Sequence, residues 1–210
     1  MSSKSLRTAT LLGALAVASA LSACAPLLIT GAVVGGSMIV TDRRTSGVQI
    51  EDQAIELKAL SRLNEVLGDR GHVNVTSYGR QALITGEVPT EADKVAVAQA
   101  VARIENVQSI VDEVAVMAST SITSRSNDAI ITGKVKASLV DAKDVLANAF
   151  KVVTERGVVY LMGRVTEREA DRGAEVARSV GGVQKVVKVF EVVSEAELAE
   201  VEPKTAPTKK

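Results

Sequence analysis

The feature that most constrains the fold of this 210-residue chain is an internal repeat. The segment ALITGEVPTEADK, which begins at Ala82, aligns with VYLMGRVTEREADR, which begins at Val159, so that Gly86 corresponds to Gly163. The same offset of 76 or 77 residues aligns NVQSIVDEV with GVQKVVKVF and DQAIELKALSRL with DAIITGKVKASL. Each copy is about 70 residues long, the size of one small domain. The sequence therefore predicts two similar domains in tandem.

Both copies have the pattern helix-strand-strand-helix-strand. We interpret Asp52 and Asp128 as helix N-caps, because a carboxylate there can accept a backbone N–H. One apolar stripe follows each carboxylate at helical spacing, formed by Ile55, Ala59, Leu63 and Leu67 in the first copy and by Ile131, Val135, Leu139 and Ala142 in the second. The next predicted elements are strands at 73–78 and 149–154, turns near Gly79 and Gly157, second strands ending at Gly86 and Gly163, helices at 91–104 and 167–180, and closing strands at 109–116 and 185–193.

This order of elements predicts the sheet topology. A hairpin is antiparallel, whereas a strand-helix-strand crossover requires parallel pairing. Each copy is therefore expected to form a small three-stranded mixed sheet with two helices covering one face, and the fold class is α+β. The predicted domains are 47–118 and 126–194, joined by a linker at 119–125. Residues 195–210 mix charges with both late prolines and are predicted to be a disordered tail.

The N-terminus has the layout of a secretion signal. Lys4 and Arg7 precede an apolar run of about a dozen residues, which is too short for a comfortable membrane span. The run ends at Leu21-Ser22-Ala23-Cys24, which holds the only cysteine in the chain and resembles the lipobox of bacterial lipoproteins. We therefore expect a signal peptide at 1–23 and covalent lipid on Cys24, since two or more acyl chains anchor a protein stably. By resemblance to bacterial sorting signals, Ala25 favours the outer membrane, with the protein facing the periplasm.

Residues 24–46 are predicted to be a lipid-anchored tether. The stretch from Leu27 to Val40 is apolar and contains three glycines, and its 14 residues fall short of a membrane span. It could instead form a strand or helix docked on the domains. A polar junction, Asp42-Arg43-Arg44-Thr45, follows it.

Taken together, the repeated G-x-V step and the V-x-x-V-V closing strand resemble tandem BON domains. The match runs from about Val48 to Val193, and the segments SND at 126–128, NVT at 74–76 and LMGRVTEREA at 161–170 resemble the dual-BON outer-membrane lipoproteins of the YraP/DolP type. The resemblance implies a periplasm-facing, non-enzymatic protein that binds phospholipid and supports envelope integrity, with relatives placed at the division site.

The residues themselves favour no catalytic chemistry. His72 is the only histidine, and neither Cys24 nor a carboxylate motif pairs with it, so neither a nucleophile–base pair nor a metal site is expected. Glu167, Glu169 and Asp171 lie at a predicted helix start, where acidic side chains favour the helix dipole. We therefore predict no enzyme, no metal and no cofactor other than the lipid on Cys24. Nucleic acid is excluded as a partner, because the chain has no net charge and 2% aromatic residues.

Charge is divided unevenly between the copies. Residues 47–118 carry 6 Lys/Arg against 11 Asp/Glu, a net charge of −5, whereas residues 126–194 carry 11 against 9, a net charge of +2. An anionic phospholipid membrane should therefore repel the first copy and could contact the second. The candidate phospholipid-binding residues lie on two flanks of its first helix, outside the predicted buried stripe: Ile130 and Lys134 on one, and Lys136, Val140 and Lys143 on the other.

Two alternatives stay open for these residues. Ile130 could pack against the first domain instead of a membrane. The chain could also be an adaptor whose domains bind an envelope protein, with the lysines solvated.

Overall fold

The computed structural model describes residues 42–201. The predicted signal peptide, Cys24, most of the tether and residues 202–210 of the tail lie outside the described residues. The first domain consists of α1 (Ser46–Leu67), β1 (His72–Tyr78), β2 (Gln81–Val88), α2 (Glu91–Ala102) and β3 (Ser109–Val116). The second consists of α3 (Ile122–Asp141), a 3₁₀ turn (Ala147–Ala149), β4 (Lys151–Glu155), β5 (Val158–Val165), α4 (Glu167–Arg178) and β6 (Lys185–Val192), and is followed by α5 (Glu195–Val201).

The first helix of each domain begins earlier than the sequence indicated. Thr45 caps α1 by accepting from the Val48 N–H, and Ser121 caps α3 by accepting from the Ser124 N–H. The assignment of Asp52 and Asp128 as N-caps is therefore wrong, because both lie inside their helices and are buried. A capping carboxylate and a carboxylate aimed at a nearby turn are indistinguishable in sequence.

The buried carboxylates bind the hairpin turns instead. Asp52 accepts the backbone N–H groups of Gly79 and Arg80, both at 2.8 Å. Asp128 accepts those of Arg156 and Gly157 at 2.9 and 2.8 Å. In each domain this fixes the turn of the first hairpin against the first helix.

The sheets have the predicted mixed topology. In the first domain β1 pairs antiparallel with β2, and β3 pairs parallel with the other edge of β2. β4, β5 and β6 repeat this order. The α+β prediction is confirmed. The second hairpin differs in detail, since β4 begins at Lys151 after the 3₁₀ turn and not at Ala149.

The repeated glycine of the second strand has a steric explanation. A Cβ atom at Gly86 would lie 2.0 Å from the carbonyl oxygen of His72, and one at Gly163 would lie 2.2 Å from that of Ala149. No side chain fits at such distances from a backbone atom. The G-x-V step therefore marks the point where the backbone at His72 or Ala149 lies closest to the second strand of its domain.

Each sheet packs its two helices against one face. The first core includes Ile55, Ala59 and Leu63 of α1 together with Val97 and Val101 of α2. The second core repeats this with Ile131, Val135 and Leu139 of α3 and with Ala174 and Ala177 of α4. Of the predicted stripes only Ala142 is not fully buried, because it is the C-cap of α3.

The other faces of the two sheets pack against each other. A third apolar cluster joins Tyr78 and Leu83 of the first domain to Tyr160, Met162 and Val189 of the second. The layers therefore run helices, sheet, sheet, helices. Polar bridges cross the same interface, among them the Lys151 ammonium donating to Glu56 at 2.7 Å and Arg156 donating to Glu87 at 2.9 Å.

The ends of the described chain are more ordered than the sequence indicated. Arg43, predicted to belong to the tether, is buried. The predicted linker is helical from Ile122 onward. At the C-terminal end, α5 occupies the start of the predicted disordered tail, and its Leu198 is buried.

Candidate functional site

The structure brings the candidate residues of α3 to one outward face. Ile130 is 56% exposed and Val140 is 70% exposed. With Gly133 and Ala137 they follow a 3-4-3 spacing, which places all four residues in one stripe along the helix. All four are exposed. The sequence placed Ile130 and Val140 on separate flanks, whereas at about 100° per residue they are only about 80° apart.

Lysines border this stripe on both sides. Lys134 and Lys136 lie about 160° apart around the helix at 100° per residue, one on each side of the stripe, and both are exposed. Lys143 is also exposed but lies beyond the end of α3 at Asp141. An outward apolar stripe between lysines is the arrangement by which interfacial helices contact lipid.

These lysines carry uncompensated charge. Within the described part of the chain, Lys134, Lys136 and Lys143 form no ion pair within 4.0 Å. The corresponding helix of the first domain differs, because Lys58 pairs with Glu105 and Arg62 with Glu65, each at 2.9 Å. The outer surface of α3 is thus available to an external anion, which the sequence could not show because ion pairing depends on tertiary neighbours.

A shallow groove adjoins the C-terminal half of this face. It has a volume of about 340 Å³ and is lined by Lys136, Leu139, Val140, Ala147, Asn148, Phe150 and Asp42. Asp42 is the first described residue, so the described chain begins at this groove.

The first domain has an apolar surface of its own. Ile50, Leu57 and Leu60 are 67%, 68% and 61% exposed. Leu57 and Leu60 border a groove of about 480 Å³ between α1 and β1, with Val73 and Val75 on its other side. Sequence reasoning missed this surface, although the 3-4-3 spacing of Ile50, Gln53, Leu57 and Leu60 gave a signal for it.

The interface between the domains holds a cluster of buried carboxylates. Burial raises the pKa of the Glu155 carboxyl, and the neighbouring carboxylates of Glu87 and Asp128 raise it further. Burial also lowers the pKa of His72, as does the nearby charge of Arg125. The Arg125 guanidinium lies 3.4 Å from one ring nitrogen of His72, and the Asn74 side-chain amide lies 3.3 Å from the other.

The acidic start of α4 is also structural. Thr166 and Glu169 form a reciprocal capping box. The Glu169 carboxylate also accepts hydrogen bonds from both terminal nitrogens of Arg43, at 2.8 and 2.9 Å. Hydrogen bonds from Arg43 therefore lower the pKa of Glu169 even though burial opposes this. Within residues 42–201, no group of three or more His, Cys, Asp or Glu side chains is placed to hold a metal, and no helix is both long and apolar enough to cross a bilayer.

Comparison with known proteins identifies the repeated unit. The BON domain family model matches twice, at residues 51–118 and 127–194. The outer membrane lipoprotein DolP of Haemophilus influenzae is 33% identical over 172 residues, which cover 81% of this chain and 89% of that protein. A 21 kDa hemolysin of Actinobacillus pleuropneumoniae is 33% identical over 154 residues, which cover 72% of this chain and 79% of that protein.

Among solved structures, CdsD, a structural protein of the type III secretion system of Chlamydia trachomatis, matches 70% of this chain and 99% of its own. Its sequence identity is 13% and its TM-score is 0.28, so the assignment rests on the sequence matches. Those matches cover both repeats, and the mixed sheet with two helices recurs in each. The chain therefore belongs to the BON domain family, and it contains two BON domains in tandem.

Proposed function

We propose that this protein is an outer-membrane lipoprotein, anchored through Cys24 and facing the periplasm, whose second BON domain binds anionic phospholipid. Through this binding it supports the integrity of the envelope, including at the division site. It carries out no catalysis and uses no cofactor beyond the lipid on Cys24. The similarity to the outer membrane lipoprotein DolP supports the location and the envelope role.

The observation that carries the lipid proposal is the outer face of α3. Ile130 and Val140 present apolar area to the headgroup region, and the ammonium groups of Lys134 and Lys136, which pair with no other residue in 42–201, attract lipid phosphates. A basic residue near an anionic surface contributes about 1 kcal/mol. Two or three such residues give weak, reversible docking, which suits a protein that its anchor already holds at high effective concentration.

Charge reversal on α3 tests this site. The probe is a vesicle of phosphatidylglycerol and phosphatidylcholine, and the protein is the chain without residues 1–24. Lys134→Glu with Lys136→Glu should weaken co-sedimentation more than tenfold, since the loss of two attractions of about 1 kcal/mol each already exceeds a factor of ten.

The matched control is Arg178→Glu with Lys185→Glu. Both residues are exposed cations of the same domain, and neither forms an ion pair among the described residues. An equal loss from the control would indicate diffuse electrostatics and would remove α3 as the site. Circular dichroism establishes that each variant is folded.

Replacement of the apolar stripe separates insertion from charge. Ile130→Asp with Val140→Asp should weaken vesicle binding by removing inserted apolar area, and this loss should persist at 0.5 M salt, where charge attraction is screened. A loss that disappears at high salt would show that the stripe does not insert.

The anchor is tested in cells. Cys24→Ser should abolish incorporation of labelled palmitate and leave the precursor unprocessed. Equal labelling of the two forms would contradict lipidation at this residue.

A second candidate function is favoured by the apolar surface of α1. Leu57 and Leu60 beside the groove against β1 could dock an envelope protein, and the chain would then be an adaptor. This function predicts no binding to protein-free vesicles. It also predicts that Leu57→Glu with Leu60→Glu, but not Lys134→Glu with Lys136→Glu, sensitises cells to detergent.

A further inference from the structure

Arg43 reaches from the N-terminal end of the described chain into the second domain. Its guanidinium donates to both carboxylate oxygens of Glu169, at 2.8 and 2.9 Å, and to the carbonyl oxygen of Arg164 at 3.1 Å. The side chain is 3% exposed. The contact is thus a buried bidentate pair at the start of α4, which is the strong geometry for an arginine and a carboxylate.

Arg44, the next residue, is bound to the first domain. It donates to Asp52 at 2.8 Å, the same carboxylate that fixes the β1–β2 turn. Its guanidinium carbon lies 4.2 Å from the centre of the Tyr78 ring, in cation–π contact. Tyr78 is itself part of the apolar cluster between the sheets. Two consecutive arginines therefore hold one domain each.

The opposite end of the sheet interface has a similar connection. Arg156, at the β4–β5 turn, donates to the carbonyl oxygen of Gly86 at 3.0 Å and to the Glu87 carboxylate at 2.9 Å. Gly86 and Glu87 lie near the end of β2, and Arg164 lies at the equivalent end of β5. The repeat thus places an arginine on a strand-end carbonyl and a buried carboxylate at both ends of the interface. At one end this arginine is Arg156 of the second domain, and at the other end it is Arg43, which precedes the first domain.

We propose that Arg43 and Arg44 form a clasp that holds the two BON domains in one orientation and binds the end of the N-terminal segment to both. The polar junction recognised in the sequence is then part of the folded body and not of the tether. The clasp also fixes the N-terminal end of the described chain, since Asp42 lies in the groove with Lys136 and Val140. Its meaning for the anchor rests on the proposed function, in which α3 faces the membrane, because Asp42 then lies beside the membrane-facing helix.

The orientation of the domains can be measured directly. The chain without residues 1–24 contains no cysteine, so nitroxide labels at Val95→Cys on α2 and Arg178→Cys on α4 report one inter-domain distance. Double electron–electron resonance should give a single narrow distribution for the parent protein. Arg43→Gln with Arg44→Gln should broaden it at least twofold or add a second population.

The matched control is Lys58→Gln with Arg62→Gln, two cations whose ion partners, Glu105 and Glu65, lie in their own domain. This control should leave the distribution unchanged. Because Arg43→Gln leaves Glu169 buried without its partner, a second variant, Arg43→Met with Glu169→Gln, removes both charges and should broaden the distribution in the same way.

A folded clasp variant with the parent distribution would overturn the proposal. Global unfolding of both clasp variants would overturn it too, since the clasp is proposed to set the orientation of the domains and not to maintain their folds. The distance measurement needs no lipid, so its failure leaves phospholipid binding untouched, and failure of vesicle binding leaves the clasp untouched.

Discussion

Asp52 and Asp128 occupy equivalent positions in the two domains but accept different numbers of hydrogen bonds. Both accept two backbone N–H groups of a hairpin turn. Asp52 also accepts the Ser77 hydroxyl at 2.6 Å and the Arg44 guanidinium at 2.8 Å. These donors lower the pKa of Asp52 although burial opposes them.

We expect Asp52→Ala to cost more stability than Asp128→Ala. The first substitution removes the acceptor of the Ser77 hydroxyl, of two backbone N–H groups and of one nitrogen of Arg44, whose guanidinium keeps Asp42 as a partner, and should lower the free energy of unfolding by about 3 to 5 kcal/mol. The second strands two N–H groups and should cost about 1 to 3 kcal/mol. Urea unfolding followed by circular dichroism measures both, with the exposed Asp69→Ala as control. Equal costs would show that Arg44 and Ser77 add nothing.

In contrast to Asp52, Glu155 is a buried carboxyl whose pKa is raised. It lies near Glu87 and Asp128 at the domain interface, and these neighbours, after burial itself, favour its protonated form. Because the pKa of Glu155 is raised in the folded state, protonation of this carboxyl stabilises the fold, and its contribution to the free energy of unfolding is complete below the ordinary pKa near 4.5. That contribution is lost as the pH rises through the raised value.

Glu155→Gln should therefore stabilise the protein above the raised pKa. The neutral amide keeps the shape of the side chain without the buried charge, and a gain of about 1 kcal/mol corresponds to about 2 to 4 °C in melting temperature. Melting curves at pH 4 and pH 8 test the sign: the advantage of Gln should appear at pH 8 and vanish at pH 4. The reverse order would contradict the raised pKa.

At the scale of single helices, α3 and α4 differ in how tightly their glycines are packed. A Cβ at Gly133 of α3 would meet no atom within 4 Å. A Cβ at Gly173 of α4 would lie 2.5 Å from the ring of Phe150, which packs edge-on against Phe190. The first glycine only weakens its helix, whereas the second makes room for a core side chain.

Alanine should have opposite effects at the two positions. Gly133→Ala should raise the free energy of unfolding by about 0.5 to 1 kcal/mol, because alanine favours the helix and nothing obstructs it. Gly173→Ala should lower it by about 1 to 3 kcal/mol by displacing the Phe150 ring. Urea midpoints of the two variants decide this, and stabilisation by Gly173→Ala would show that the ring shifts freely.

At the scale of the whole molecule, the sheet interface makes two small domains into one unit. Tyr160 and Met162 are buried on the face of β5 that points away from α3 and α4. Domains of this size bury only about 60% of their surface when alone and are marginal. The interface is therefore expected to make their unfolding cooperative.

Met162→Lys should uncouple the domains. A buried ammonium without a partner in this interface costs several kcal/mol. The lysine avoids this cost only if its ammonium reaches water, which requires the two sheets to separate. Calorimetry should show one transition for the parent protein and two for the variant, whereas Val192→Lys, at an exposed position of β6, should retain one. A single transition at an unchanged temperature in Met162→Lys would contradict this.

Much of the fold could be predicted from the repeat, because the two copies support each other's helix and strand assignments. The role of Asp52 could not, since all its partners except Arg44 lie 25 to 28 residues away, in β1 and the turn that follows it. The packing of the sheets had one overlooked signal: β5 begins with five consecutive apolar residues, from Val158 to Met162, as in a strand covered on both faces. Helical periodicity predicted that Ile130 and Val140 lie outside the buried stripe of α3, but placed them on separate flanks. That Lys134 and Lys136 form no ion pair with other described residues required tertiary structure.

The interface between the sheets joins residues that are about 80 positions apart in sequence, such as Leu83 and Met162, through a connection of only five residues from Met117 to Ser121. Nothing in that interface requires both faces to belong to the same chain. During refolding at high concentration, the first domain of one molecule can meet the second domain of another before its own. We therefore expect domain-swapped dimers whose yield rises with protein concentration, and a longer connection would favour the monomer.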